Sequence, residues 1–383
     1  MSEMHLQLDS GERLSVRRFE VEESASSLFC ASVWARSESP TIDLDALVGR
    51  GASLRVVHGT RFVAGGGTRT WVGVCSHAEQ AQAETTGLST YHLRIVPRLY
   101  LLTQRTNYRV YQHMSIPDIV QSVLADARVP HRWRVAREGY PKLELKVQYG
   151  ESDFAFVSRL LEEAGISFVF TDWDGQGSEL TLDDALPSRE ERPLLPYADN
   201  PNQAAEREFV TRVRLSHEVR PGAFVLRDFD FRRPSYPLFA EAPRVAGAEA
   251  AYERYHYQPG SFLIEQASGG DTPVADDQGA ARHVESYGNQ RATRALAATR
   301  VGRRSVTFDT NALDLCPGSV VRIGLHPHQE LSEDARLLVL ESRIQGSHDG
   351  EWLSSARAVF AAEAYAPLLR TRKPVVSGVQ SAT

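Results

Sequence analysis

The sequence predicts an α+β fold that is mainly β, built as two tandem related β-barrels with α/β insertions. Three observations predict it. Short β-type runs alternate with turn chemistry towards both ends of the chain, two central stretches carry apolar residues at helical spacing, and strand motifs of the first β region return in order in the second. At 383 residues the chain exceeds what one hydrophobic core usually serves, so more than one domain is expected.

In the first region, residues 28–34, 53–58, 69–77 and 90–102 read as antiparallel strands of a first barrel, 1–104. Gly65, Gly66 and Gly67 fall between two of them and read as a hairpin loop, since a phosphate-binding loop needs a helix opening directly after it. An α+β module follows over 105–200. Ile116, Ile119, Val120, Val123, Leu124 and Ala127 share a helix face behind the N-cap candidate Ser115, with Asp118 three residues on. A strand over 143–149 leads to a second helix capped by Ser152, with Phe154, Val157, Leu160, Leu161 and Ala164 as its apolar face and Gly165 as its stop. A strand over 166–170 comes next, and the proline-flanked stretch 193–201 reads as a linker.

Strands return over 209–217 and 223–231, separated by the Arg220-Pro221-Gly222 turn. An irregular insertion, 233–303, is helix-like in its later part, and strands resume over 320–325, 335–344 and 354–360. The second barrel is therefore discontinuous, 201–232 plus 304–362, with 363–383 as a trailing linker. The motifs SLRVVHG, RTWVGVCSHAEQ and TYHLRIVP have counterparts in SVVRIGLHP, ARLLVLESRIQG and SARAVFAAE at similar spacing. Two related barrels would produce this echo, and so would chance similarity between hydrophobic strands.

Composition excludes several classes. With 42% hydrophobic and 24% charged residues the chain is neither disordered nor low-complexity, and a net charge of −6 from 43 basic and 49 acidic residues is too balanced for a nucleic-acid coat. Only Lys142, Lys146 and Lys373 are lysines, so 40 of the basic residues are arginine, a composition that suits bidentate pairing at interfaces and also a GC-rich genome. Cys30, Cys75 and Cys316 form no disulfide framework, and a reducing compartment is expected. The first twenty residues lack the apolar core of a signal peptide, and no apolar run approaches a membrane span.

No catalytic residue, cofactor site or metal site is expected. The G-x-S-x-G, H-E-x-x-H and P-loop patterns are absent. Proline restricts the imidazoles of His326-Pro327-His328, which read as a surface turn. Residues from Asp172 to Glu179 have the oxygen ligands of a calcium loop but are too short and poorly phased for one, and a polar hairpin accounts for them. The pairs Glu162-Glu163 and Asp183-Asp184 read as solvated carboxylates. The arginine-rich stretch from Arg282 to Arg304 lacks the interleaved aromatics of a nucleic-acid reader, and a helix surface or protein interface is expected instead.

The second helix in its setting, VQYGESDFAFVSRLLEEAGISFVF, resembles the signature of VgrG proteins, the trimeric spikes of type VI secretion systems, with Asp153, Phe154, Arg159, Leu160, Glu163 and Gly165 in the family's positions. Upstream, TNYRVYQHMSIPDIV is similar to the family's Arg-Ile-Phe-Gln element, carrying Arg109 and Gln112 but Val110 and Tyr111 in place of the commoner Ile and Phe. The segment KPVVSGVQSAT resembles the family's entry into an OB-fold, so the OB-fold and β-helix needle are expected to lie beyond these residues. The resemblance implies a phage tail-hub-like fold and a non-enzymatic structural role for the signature. It further implies a homotrimer that docks on the hexameric Hcp tube and baseplate components, a PAAR-type tip and effectors reached through the needle, cytoplasmic assembly, and export by contraction. The hub of a contractile phage tail, or a carrier of a downstream enzymatic effector domain, are the alternatives.

Overall fold

The computed structural model describes residues 3–57, 67–85, 87–172, 177–199, 207–230, 234–235, 237–260, 285–350, 352–376 and 378. In chain order the first region holds β1 (Glu3–Leu8), β2 (Ser15–Ser24), β3 (Cys30–Ser37), β4 (Gly51–Val57), β5 (Thr68–Gln82) and β6 (Ser89–Val96). The middle holds β7 (Thr106–Met114), α1 (Ile116–Asp126), β8 (His131–Arg134), β9 (Leu143–Ser152), α2 (Asp153–Ala164), β10 (Ser167–Thr171), β11 (Glu179–Asp183) and β12 (Leu195–Pro196). Then come β13 (Val210–His217), β14 (Ala223–Asp228), β15 (Leu238–Glu241), β16 (Glu253–Tyr257), α3 (Glu285–Arg300), β17 (Arg304–Thr310), β18 (Val320–Gly324), β19 (Arg336–Ser347) and β20 (Leu353–Phe360). Twenty strands against three α-helices among the described residues make the chain mainly β, as its sequence predicts.

Twelve strands form one large sheet whose two halves repeat a strand order. In the first half β4, β5 and β6 make an antiparallel meander and β3 and β2 add antiparallel beside β6. In the second half β18, β19 and β20 make the meander and β17 and β13 add in the same sense. The echoing motifs fall on these two meanders. Each middle strand also carries a bulge against the strand that follows it, between Cys75 and His77 in β5 and between Val339 and Glu341 in β19. The halves are joined where β2 pairs antiparallel with β19 past the end of β18, from Ser24 opposite Glu341 to Arg18 opposite Ser347.

Each half buries its own apolar face. Phe19, Trp71, Leu93 and Ile95 centre the first core, which extends to Val120 of α1 and Leu160 of α2. Val306, Phe308, Val339 and Phe360 belong to the second. Burial of this kind contributes roughly 1.5–3 kcal/mol per large side chain. The strand expected over 90–102 stops at Val96, since Pro97 offers no ladder donor and Arg98–Gln104 coils into a 3₁₀ turn.

The expected insertion is ordered in its described parts. β14 pairs antiparallel with β15 and parallel with β16, so it lies in a small separate sheet and not beside β13 as the sequence suggests. The reason is apolar: Phe224 and Leu226 of β14 bury against Ala292 and Leu296 of α3. Gly65 and Gly66, the calcium-like loop from Trp173 to Gln176, and Arg282 lie outside the described residues.

Candidate functional site

The signature helix α2 begins and ends on the residues that the sequence marks. Ser152 Oγ accepts the Ala155 N–H at 3.1 Å, and Gly165 takes the left-handed conformation at φ 74°, where a side chain is strained. Val157, Leu160 and Leu161 are buried as expected, whereas Phe154 is half-buried and meets the Phe168 ring edge-on. Phe156 occupies the enclosed position instead, stacked near Tyr111.

The polar signature residues point into the protein. Asp153, fully buried, accepts from Asn107 Nδ2 and Gln148 Nε2, both at 2.8 Å, while Arg105 Nε lies 3.1 Å from its other oxygen. Arg159 grips Glu151 through Nε and Nη2 and donates to the Val147 carbonyl at 2.6 Å. Glu163 accepts from Lys146 Nζ at 2.6 Å and lies 3.5 Å from Arg291 Nη2 of α3. Burial would raise the Glu163 carboxyl, but the charges of Lys146, Arg291 and Arg159 overcome it and hold the group down to about 2. Burial pushes Lys146 the opposite way from its ordinary amine range, and Glu163 only partly offsets that. Arg109 is partly buried and sits 3.6 Å from Asp126, and Gln112 is exposed. The signature thus places buried ion pairs where β9, α2 and α3 meet; none of its acids is free to act on a substrate.

The other candidates are similarly committed. Glu162 accepts from the backbone N–H groups of Arg370 and Thr371 and from Thr371 Oγ1, which ties the segment at 370–371 to α2. The carboxylates expected to be solvated are buried at Glu163 and Asp183: Asp183 takes the Arg189 Nε–H at 2.7 Å, while exposed Asp184 accepts from the Tyr140 hydroxyl at 3.0 Å. His326 and His328 each accept a local backbone N–H, as turn residues do. In the arginine-rich stretch, Arg300 pairs with Glu249 at 2.6 Å, Arg303 and Arg304 share Glu363, and Arg294 lies over the Tyr140 ring. These guanidinium groups make their contacts within the chain.

Among the described residues, exposed apolar side chains gather on two strand faces. On the β7–β9 ribbon, Tyr108, Val110 and Leu145 are exposed and Tyr108 packs edge-on against Tyr149. On the small sheet, Phe239, Tyr255 and Tyr257 are exposed. The sequence reading also passed over a cluster of His77, Glu79 and His92 on β5 and β6. Its legible part was the His-x-Glu spacing on one strand; His92 arrives only through strand pairing. No helix among the described residues is long and apolar enough to cross a membrane.

The chain, with its repeated half-sheet, belongs to the phage tail baseplate hub (GPD) family, whose model matches residues 22–350. Curated relatives include VgrG spike proteins of Pseudomonas aeruginosa. It is similar to the type VI secretion system spike protein VgrG1b of Pseudomonas aeruginosa, at 26% identity over 97% of this chain and 48% of that protein. The chain spans about half the length of the curated relatives it matches. In fold it is similar to the Escherichia coli c3393 protein, described as a type VI component resembling the T4 tail proteins gp27 and gp5, with TM-score 0.67 and 17% identity over 98% of this chain and 82% of that one. It also resembles the 43 kDa tail protein of prophage MuSo2 from Shewanella oneidensis, with TM-score 0.59 and 12% identity over 94% and 99% of the two chains.

Proposed function

We propose that this chain forms the base of a type VI secretion spike: three copies associate, seat on the hexameric Hcp tube and the baseplate, and are driven outwards by sheath contraction to deliver effectors. The observation that carries this reading is the repeated strand order of the two half-sheets. Two like halves per chain, repeated by a three-fold axis, give a pseudo-six-fold ring that matches a hexameric tube where a plain trimer does not. Each half is taken as one barrel of the hub, with the first at 1–104 and the second at 201–232 plus 304–362, less β14.

The chain's contribution is geometric and not enzymatic. The signature residues hold β9, α2 and α3 together, and the exposed aromatic faces on β7–β9 and β14–β16 supply apolar area for assembly. Assembly takes place in the cytoplasm, and export follows contraction. PAAR-type tip and effectors join through a needle outside these residues. The hub of a contractile phage tail is the second reading, favoured by the prophage tail protein that this chain covers over 99% of its length.

Analytical ultracentrifugation of the protein, followed by electron microscopy of its mixture with Hcp tubes, tests the proposal. A trimer that caps the tube end is expected. A stable dimer sinks the hub reading, and a trimer that ignores Hcp but caps a phage tail tube moves it to the second.

A further inference from the structure

β5 and β6 gather two imidazoles and a carboxylate on one face of the first half-sheet. His77 and Glu79 are two residues apart on β5 and so share a face, and Glu79 stands directly opposite His92 on β6. The bulge between Cys75 and His77 sets that register. His77 Nε2 lies 3.5 Å and His92 Nδ1 3.7 Å from Glu79 Oε2, and the three ligand atoms all lie within 4.8 Å of one another.

These separations are too long for good hydrogen bonds, which run at about 2.7–3.2 Å. They are close to what an ion needs. Around a tetrahedral zinc with bonds of ~2.0–2.1 Å, neighbouring ligand atoms stand roughly 3.3 Å apart. His77 and Glu79 are 43% and 57% exposed, so both can close the remaining gap without disturbing the core.

His92 is held for this role from behind. Arg18, Trp34, His92 and Glu79 oppose one another in a single row across β2, β3, β6 and β5. Trp34 stacks on His92 with centroids 4.7 Å apart and planes at 19°, and the Arg18 guanidinium lies 4.5 Å from the Trp34 ring. Nε2 of His92, which carries the proton when Nδ1 faces an ion, is buried without a hydrogen-bond partner, so the Trp34 stack is what sets the plane of the ring.

We infer that His77, Glu79 and His92 form a binding site for a divalent transition-metal ion of the zinc class, with three protein ligands and one position open to solvent or to a neighbouring side chain. Two imidazoles and one carboxylate suit zinc, cobalt, nickel and copper better than magnesium or calcium, which take all-oxygen sets. The site stands independently of the hub reading.

Equilibrium dialysis of the protein against Zn²⁺, with metal measured by mass spectrometry, and the visible spectrum of the Co²⁺-loaded protein test it. One ion per chain and the intense absorption of tetrahedral cobalt are expected. His77→Ala and Glu79→Gln, at exposed positions that leave the fold intact, should each weaken binding by more than ~100-fold, beyond what loss of an outer contact costs. His326→Ala/His328→Ala should bind as the parent does. Absence of saturable binding at micromolar Zn²⁺ overturns the site, as does undiminished binding in the His77→Ala/Glu79→Gln double variant.

Discussion

The Arg69 guanidinium of β5 meets the Glu23 carboxylate of β2 at 2.6 Å beside the seam between the half-sheets, with the two side chains only 9% and 4% exposed. Arg69 also donates to the Leu313 and Leu315 carbonyls, and Ser342 of β19 donates to Glu23 at 3.2 Å. One buried pair therefore links both halves of the sheet.

Arg69→Met should cost about 3–5 kcal/mol, because it strands the Glu23 charge in the interior. Burial already raises the Glu23 carboxyl above its ordinary range despite Arg69. Glu23→Gln/Arg69→Met should recover much of the loss. A double-mutant cycle by urea denaturation measures the coupling, and additive losses would show that the pair does not act as a unit.

Glu163→Gln should destabilise the protein by about 3–5 kcal/mol at neutral pH, since Lys146, Arg159 and Arg291 lose their shared anion. The Glu163 group is depressed from 4.5 to about 2, so its contribution is present in full above pH 4.5 and disappears as pH falls towards 2. Urea melts of parent and variant between pH 7 and pH 2 should therefore converge at the acid end. A gap that stays constant with pH contradicts the depressed carboxyl.

Leu160→Ala should cost ~2–5 kcal/mol through the cavity it leaves. Phe156→Ala should fall at about 3–5 kcal/mol, and Phe154→Ala should cost less, because Phe154 is half-buried and Phe156 fully so. Thermal denaturation ranks the three, and an equal or greater loss at Phe154 would reverse the assignment of the enclosed position.

Gly165→Ala should destabilise by about 1 kcal/mol or more, since φ is 74° and a Cβ would stand 2.8 Å from Arg294 Cδ. The far end of the Arg294 side chain can move, but the backbone strain cannot be relieved. Chemical denaturation gives the value directly.

How far the sequence reaches depends on how local the cause is. The bounds of α2 are legible because Ser152, the apolar spacing and Gly165 all act within one helix. The meanders β4–β6 and β18–β20 are legible because each strand follows its partner closely. The choice of Phe156 over Phe154 is not, since Tyr111 and Phe168, brought in by β7 and β10, decide which ring is enclosed. The pairing of Glu79 with His92 depends on a bulge, and a one-residue slip would turn one of them to the opposite face. Glu163, which reads in the sequence as one of a solvated pair with Glu162, is buried instead, because its cations include Arg291, more than a hundred residues away in the chain and visible only once α3 is packed.

The pairing of β2 with β19 sets a schedule for synthesis. Glu23 and its partner Ser342 are 319 residues apart, which at a ribosomal rate of about 5–20 residues per second means a wait of roughly 16–64 s. Throughout that interval one edge of β2 has no strand to receive it, and its unpaired backbone groups offer a template to any neighbouring chain. Copies growing side by side on one messenger are thus exposed to mispairing before any of them can close its own seam, and a chaperone that covers this edge until β19 emerges should raise the yield of folded protein more than one that acts on the finished chain.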